Sequence, residues 1–278
     1  MTENPVNLKN FNDLWTVHRP DRTGQADFWN RRADSYAAHG ADEEGEEHRR
    51  LIIDTLAAKA GLGPESLVLD IGCGPGRLAL LFSGLGARVE AFDLAPRMIE
   101  LARLGAAKAG QVKANFQVLD WAEADLRLLG WEKKFQLVVA SKTPAVHDRA
   151  ALEKMMSASR GSCCLISQVD VRHSVIDRLK PLANWDEDAA RTRRGSYCVF
   201  NLLWLMGFYP EVLYFDRAWE SDISLEEAGP MYTRQLEILT GLSPEQKTAL
   251  ADKLKDLSQG GRVREKVEAK VVMIFWKV

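Results

Sequence analysis

Leu67-Val68-Leu69-Asp70-Ile71-Gly72-Cys73-Gly74-Pro75-Gly76 decides the fold: an apolar run interrupted by one acid ends in three alternating glycines, and a helix-like segment, 77–83, follows. A short apolar, branched run of this kind reads as a buried strand, and the glycines let the backbone turn sharply or approach a ligand. Working outward, further strand-like runs fall at 88–92, 115–119, 135–140 and 162–169, alternating with helix-like segments such as 97–109 and 149–159. Such alternation predicts a doubly wound α/β fold, a parallel sheet with helices on both faces. Two later runs, 211–219 and 269–278, predict two more strands with a long helical stretch, 225–257, between them. The closing Val271-Val272-Met273-Ile274-Phe275-Trp276 is continuously apolar, as expected of a strand covered on both faces.

On either side of this core lie additions. Residues 1–60 predict an N-terminal helical extension, in which Phe28 to Tyr36 is one helical run, 40–45 an acidic break, and 48–60 an amphipathic helix ending at Gly61. The core domain is expected over 61–278, with an insertion at 171–209 forming a cap or acceptor region and a helical segment at 222–265. That insertion is longer than a crossover helix requires and holds Trp185, Phe200, Trp204, Phe208 and Tyr209. Within it, 197–208 is apolar on nearly every face and predicts a buried helix.

Composition narrows the function. The chain has 278 residues, 46% of them hydrophobic, a net charge of −2 and a pI of 6.3. No overall positive field would draw it onto DNA, RNA or an anionic membrane, and the basic cluster Arg191, Arg193, Arg194 reads as a solvated helix face. Cysteines at 73, 163, 164 and 198 lack metal-site spacing and suit reduced thiols, so neither a metal nor a disulfide framework is expected. The polar N-terminus and the lack of any apolar run of ~18 residues predict a cytoplasmic protein.

The glycine loop does not fit a dinucleotide. A G-x-G-x-x-G fingerprint would place its third glycine where Arg77 stands; Asp70 would repel a diphosphate, and Pro75 removes one backbone N–H. A carboxylate at a strand end favours a cation such as an α-ammonium, whose own carboxylate is then expected to use nearby N–H groups. Asp93 ends the second strand, where it would accept ribose hydroxyls or serve as a helix-start acid before Pro96. Asp120 closes the third strand, followed by Trp121: an acceptor for an adenine amino group beside an aromatic face, or a cap and a core residue.

Three acids at successive strand ends, the first joined to a glycine loop, resemble the class I S-adenosylmethionine-dependent methyltransferases, most clearly over 64–170. The resemblance implies a Rossmann-like sheet of seven strands with an antiparallel last strand. It implies S-adenosylmethionine as cofactor, with Asp70, Gly72, Cys73, Gly74 and Gly76 around the methionine portion, Asp93 at the ribose, and Leu94 and Met98 also among the cofactor-binding residues. Asp120 and Trp121 then face the adenine, and Ser141 lies beside the methyl donor. One departure is visible: the serine that often caps the helix after the ribose acid is replaced in Asp93-Leu94-Ala95-Pro96, which costs a cap worth about 1 kcal/mol.

For the acceptor, the run Ser141-Lys142-Thr143-Pro144-Ala145-Val146-His147 lacks the [DNS]-P-P-[YFW] turn of enzymes that methylate base amino groups. No cysteine lies near this strand to attack a pyrimidine ring. A small-molecule acceptor is therefore expected, with a protein or RNA methyltransferase or a non-catalytic S-adenosylmethionine-binding module as alternatives. His147, His173 and Tyr36 are the candidate catalytic residues; a surface or hydrogen-bonded structural role is the leading reading of both histidines, and Lys142 is similarly placed, with a solvent-facing lysine as its alternative. Trp29, Arg32 and Tyr36 recur at helical spacing, forming either a lid or an ordinary packed face.

Overall fold

Leu67–Ile71 (β1) is almost wholly buried because it is flanked on both sides, by Arg88–Asp93 (β2) and by Phe135–Ser141 (β4), each running parallel to it. The computed structural model describes residues 7–16, 24–38, 43–110, 113–185 and 192–278. Ala114–Val118 (β3) continues the parallel set beyond β2, and Ser159–His173 (β5) continues it beyond β4. With Glu211–Ser224 (β6) and Arg262–Lys277 (β7) the strand order is β3-β2-β1-β4-β5-β7-β6. The Val278 N–H donates to Gly161 O and the Ser174 N–H to Lys266 O, so partner numbers fall in one strand as they rise in the other. β7 is therefore antiparallel to β5, and the seven-stranded, doubly wound sheet expected from the sequence is present.

The chain divides into two compact units. The first holds 1–167, 195–213 and 273–278; the second holds 168–194 and 214–272. The stretches read from sequence as an insertion at 171–209 and a helical segment at 222–265 thus contribute largely to one unit, while 195–209 belongs to the other.

In the first unit the helices are Leu8–Thr16 (α1), Gln25–Ala38 (α2), Glu43–Ala60 (α3), Arg77–Gly84 (α4), Pro96–Ala109 (α5), Arg149–Ala158 (α6) and, from residue 195, most of Thr192–Leu205 (α8). α5 begins without a side-chain cap from Ala95, as the departure at that position foretold. The cap comes from outside: the Arg97 N–H donates to Asn30 Oδ1 of α2 at 2.9 Å, and Arg97 also pairs with Asp34 at 2.6 Å. The Arg77 guanidinium reaches Ala37 O at the end of α2 at 2.5 Å. α2 is thereby fixed to the start of both helices that follow the glycine loop and Asp93, with Ala33, Ala95 and Met98 buried between α2 and α5. Similarly, the Arg149 N–H donates to Asn12 Oδ1 of α1 at 2.9 Å.

α8 corrects one expectation. Cys198, Val199, Leu202 and Leu203 are buried, but Tyr197 and Trp204 are each more than half exposed, at 56% and 53%. The helix is two-sided, with aromatic side chains on its outer face, rather than buried all round. Arg191 lies outside the described residues, as do 40–42 of the expected acidic break, while 43–45 of that break are instead the first residues of α3.

The second unit has its own core. Ile176–Leu179 (α7), Leu225–Thr240 (α9) and Pro244–Leu257 (α10) gather Leu179, Ala228, Tyr232, Leu236, Leu250, Leu254 and Val263 into one buried cluster. The single helical stretch expected over 225–257 is two helices, because Ser243 caps a new start, Pro244 occupies its first position and Gln246 completes a capping box. Among the described residues no helix is long and apolar enough to cross a membrane.

Candidate active site

The register that pairs Ile71 with Phe92 and with Ala140 brings the ends of β1, β2 and β4 together, so the loops following them open at one edge of the sheet. Gly72, Gly74 and Gly76 all take left-handed backbone conformations, with φ of 65°, 55° and 80°. They do different work. A methyl group on Gly72 would lie 2.0 Å from Thr143 Oγ1, and one on Gly76 would lie 2.8 Å from the Phe116 ring and 2.9 Å from Ala102. Those two glycines permit close packing of the loop. A methyl group on Gly74 would meet only Tyr36 at 3.8 Å and Met98 at 4.0 Å, and both of those side chains line a cleft.

Two adjoining clefts, about 520 and 430 Å³, sit on these loops and share Gly72, Leu94 and Pro144. The first is further lined by Gln25, Phe92, Leu119, Asp120, Trp121, Ala145 and His147; the second by Trp29, Tyr36, Cys73, Gly74, Asp93, Met98, Ser141, Lys142 and Thr143. The structure thus brings together on the clefts Gly72, Cys73, Gly74, Asp93, Leu94, Met98, Asp120, Trp121, Ser141, Tyr36 and His147 of the residues expected from the sequence. Asp70 and Gly76 lie behind the loop rather than on its open side, and His173 belongs to the second unit, where its Nε2 is 3.2 Å from Glu265.

Asp93 organises the loop from below. Its Oδ2 accepts the Gly74 N–H at 3.0 Å and its Oδ1 the Ala95 N–H at 2.9 Å. Burial pushes its pKa upward, against the hydrogen bonds from Ala95, Gly74 and Leu94. Each oxygen keeps a second lone pair, so both readings of Asp93, ligand acceptor and helix-start acid, are compatible with its geometry.

Asp70 is 2% exposed. Burial first, and then the charge of Asp93, push its pKa up to about 7, opposed by a hydrogen bond from the Ala79 N–H in the first turn of α4. Its Oδ2 is buried and has no hydrogen-bond partner. Two buried carboxylates and one orphaned oxygen under the loop favour a cation above it and disfavour a diphosphate.

A pH dependence follows. The folded pKa of Asp70, about 7, exceeds its ordinary value of 3.8. Its contribution to stability is therefore full below the unfolded value and is lost as pH rises through 7. In urea denaturation without ligand, the wild-type protein should lose about 2–3 kcal/mol between pH 5 and 8 from this group, and Asp70→Asn should remove that part of the slope. An unchanged slope in Asp70→Asn would mean that Asp70 is ionised in the folded protein throughout.

Trp121 is 1% exposed and stacks on Phe92, with ring centroids 5.6 Å apart. Its indole N–H donates to Ala151 O at 3.3 Å, so it presents to the first cleft while being held as a core side chain. The Asp120 side chain accepts the Ala122 N–H at 2.9 Å. His147 Nδ1 lies 3.0 Å from Pro144 O and 3.1 Å from Ala145 O, contacts in which it must be the donor. Its Nε2 is 3.4 Å from Asp148, the residue that caps α6.

Sequence reading missed Gln25, Thr143 and Asn30. Thr143 follows the fourth strand within a quoted run, so position marked it. Gln25 and Asn30 act across long chain separations, for which no local spacing rule exists.

Residues 68–161 match a family model described as a methyltransferase domain. A ubiquinone biosynthesis O-methyltransferase of Xanthomonas campestris pv. campestris is 41% identical over 66 residues, covering 24% of this chain and 27% of that one. A malonyl-[acyl-carrier protein] O-methyltransferase of Pseudescherichia vulneris is 35% identical over 94 residues, 34% and 35% of the two chains. The similarity thus spans about a quarter to a third of the length of these relatives. Among solved structures, magnesium protoporphyrin IX methyltransferase of Synechocystis PCC 6803 with bound S-adenosylhomocysteine superposes with a TM-score of 0.53, at 17% identity, covering 72% of this chain and 93% of that one. Residues 68–161 therefore match a methyltransferase domain, and the sheet has the Rossmann-like fold of the methyltransferase it superposes on.

Proposed function

We propose that the protein binds S-adenosylmethionine across the two clefts and transfers its methyl group to a small-molecule acceptor by in-line displacement. The observation that carries this reading is the continuous lining that runs from Gly74 and Asp93 to Asp120 along three neighbouring strand ends, with the buried Asp70 beneath it. In this reading the second cleft takes the methionine portion, Asp93 the ribose hydroxyls and Asp120 the adenine amino group, while Leu94 and Met98 supply apolar walls. Bound there, S-adenosylmethionine supplies an electrophilic methyl group on a cationic sulfur. Asp93, together with Asp70 where it is ionised, places negative potential beneath that positive charge.

The chain's own residues contribute mainly alignment and exclusion of water, which account for about 7–11 kcal/mol of barrier reduction at best in such displacements. Trp29 and Tyr36 meet edge to face at 5.8 Å over the second cleft and are assigned to that task. His147 is given no base role, since both its ring nitrogens already face oxygen atoms. A small molecule is favoured as acceptor by the net charge of −2 and by the missing base-stacking turn after Ser141.

Incubation with S-adenosylmethionine and a panel of small phenols, carboxylic acids and amines, following S-adenosylhomocysteine release, tests this. Acceptor-dependent release with a small molecule is expected. Release only with protein or RNA would change the acceptor class, and binding without release on any acceptor would make the protein a non-catalytic module.

A further inference from the structure

The glycine loop has no backbone N–H left for an anion between residues 73 and 76. The Cys73 N–H donates to Phe92 O at 2.9 Å, the Gly74 N–H to Asp93 Oδ2 at 3.0 Å and the Gly76 N–H to Cys73 O at 3.1 Å, while Pro75 has none. A methionine carboxylate placed in the second cleft cannot be received by these groups, contrary to what the loop sequence alone suggested. It also faces Asp93, a like charge. A cation must compensate, because a carboxylate withdrawn from water without a partner is strongly disfavoured.

Among the described residues lining the two clefts, Lys142 is the one lysine or arginine. Its backbone is unusual: φ is 51°, a left-handed conformation in a residue with a Cβ, immediately after β4. Such a conformation is strained for a residue with a Cβ and survives only where the surroundings hold it. Here the Lys142 N–H is held by Ile166 O of β5 at 2.8 Å, which fixes the turn that brings residues 141–144 onto the cleft.

We infer that Lys142 is the anchor for the carboxylate of the cofactor's amino-acid portion, the charge partner that the glycine loop does not supply. This rests on the cofactor reading above. It makes the methionine end a matched set: the acids under the loop for the positive centres, and Lys142, from the turn after β4, for the carboxylate. It also makes the protein selective for ligands that retain that carboxylate.

Calorimetry on the full chain, with S-adenosylhomocysteine and its decarboxylated analogue, tests the assignment. Lys142→Met should weaken S-adenosylhomocysteine by about 10- to 100-fold, the worth of a hydrogen bond to a charged group, and leave the decarboxylated analogue within about threefold. Lys142→Arg should restore most of the affinity. Lys142→Gly relieves the left-handed backbone and should melt no lower than wild type while losing the same affinity, which separates lost binding from lost folding. Equal losses for both ligands, or undiminished S-adenosylhomocysteine binding in folded Lys142→Met, would overturn the inference while leaving the cofactor reading intact. Failure of the wild type to bind S-adenosylhomocysteine at all would overturn both.

Discussion

Gly74→Ala is expected to abolish most cofactor affinity while leaving the protein folded. The added methyl group enters open space on the cleft, 3.8 Å from Tyr36 and 4.0 Å from Met98, so its cost without ligand is the left-handed backbone alone, about 1–2 kcal/mol. With ligand it occupies volume the methionine portion needs, and overpacking of up to ~3 kcal/mol corresponds to about a 100-fold loss of affinity. Gly76→Ala should behave in the opposite way, because its methyl group collides with Phe116 and Ala102 at 2.8 and 2.9 Å in the packed interior. It should lower the melting temperature sharply before any binding is measured. Paired melting curves and S-adenosylhomocysteine titrations on the two variants check this. If Gly74→Ala binds as wild type does, the ligand does not pass over the loop.

Tyr36→Ala should depress turnover about 100-fold while changing S-adenosylhomocysteine affinity by only a few-fold. A misplaced methyl group or an admitted water is felt mainly in the transition state, and misplacement on the scale of 1 Å costs rates of about this order. The side chain is well placed to act so: it lines the second cleft, meets Trp29 edge to face and sits on the Ala33–Ala95–Met98 cluster that joins α2 to α5. Separate measurement of kcat and of product affinity decides the matter. Equal losses in both, or in neither, would make Tyr36 a packing residue and move the search for the acceptor pocket towards Ser141 to His147.

Much of the core was legible because its signals are local. Leu67–Ile71 is a strand at the residues read from sequence, since a short branched apolar run, broken only by Asp70 and ending in glycines, has few other uses. Asp93 stood out as an acid at a strand end, and it does sit on the cleft. What stayed hidden depends on chain segments far apart. Nothing near Ala95 announces that Asn30, 67 residues before Arg97, supplies the missing cap. The spent N–H groups of the loop emerge only when Phe92 and Asp93 of β2 are seen beside it. The left-handed turn at Lys142 has no sequence signature either, because lysine carries none of the propensity that marks glycine or asparagine there. The break between α9 and α10 was written in Leu242-Ser243-Pro244-Glu245-Gln246 and was passed over in favour of a longer helical period.

The choice of ligand class is the central matter, and one titration series decides it most directly: isothermal calorimetry of the wild-type chain with S-adenosylmethionine, S-adenosylhomocysteine, NAD and NADP under one buffer. Asp70 and Asp93 beneath the loop, Pro75 within it and the open face of Gly74 predict binding of both sulfur ligands, with dissociation constants of order micromolar, about −8 kcal/mol, and no measurable binding of either dinucleotide. NAD bound more tightly than S-adenosylhomocysteine would contradict it.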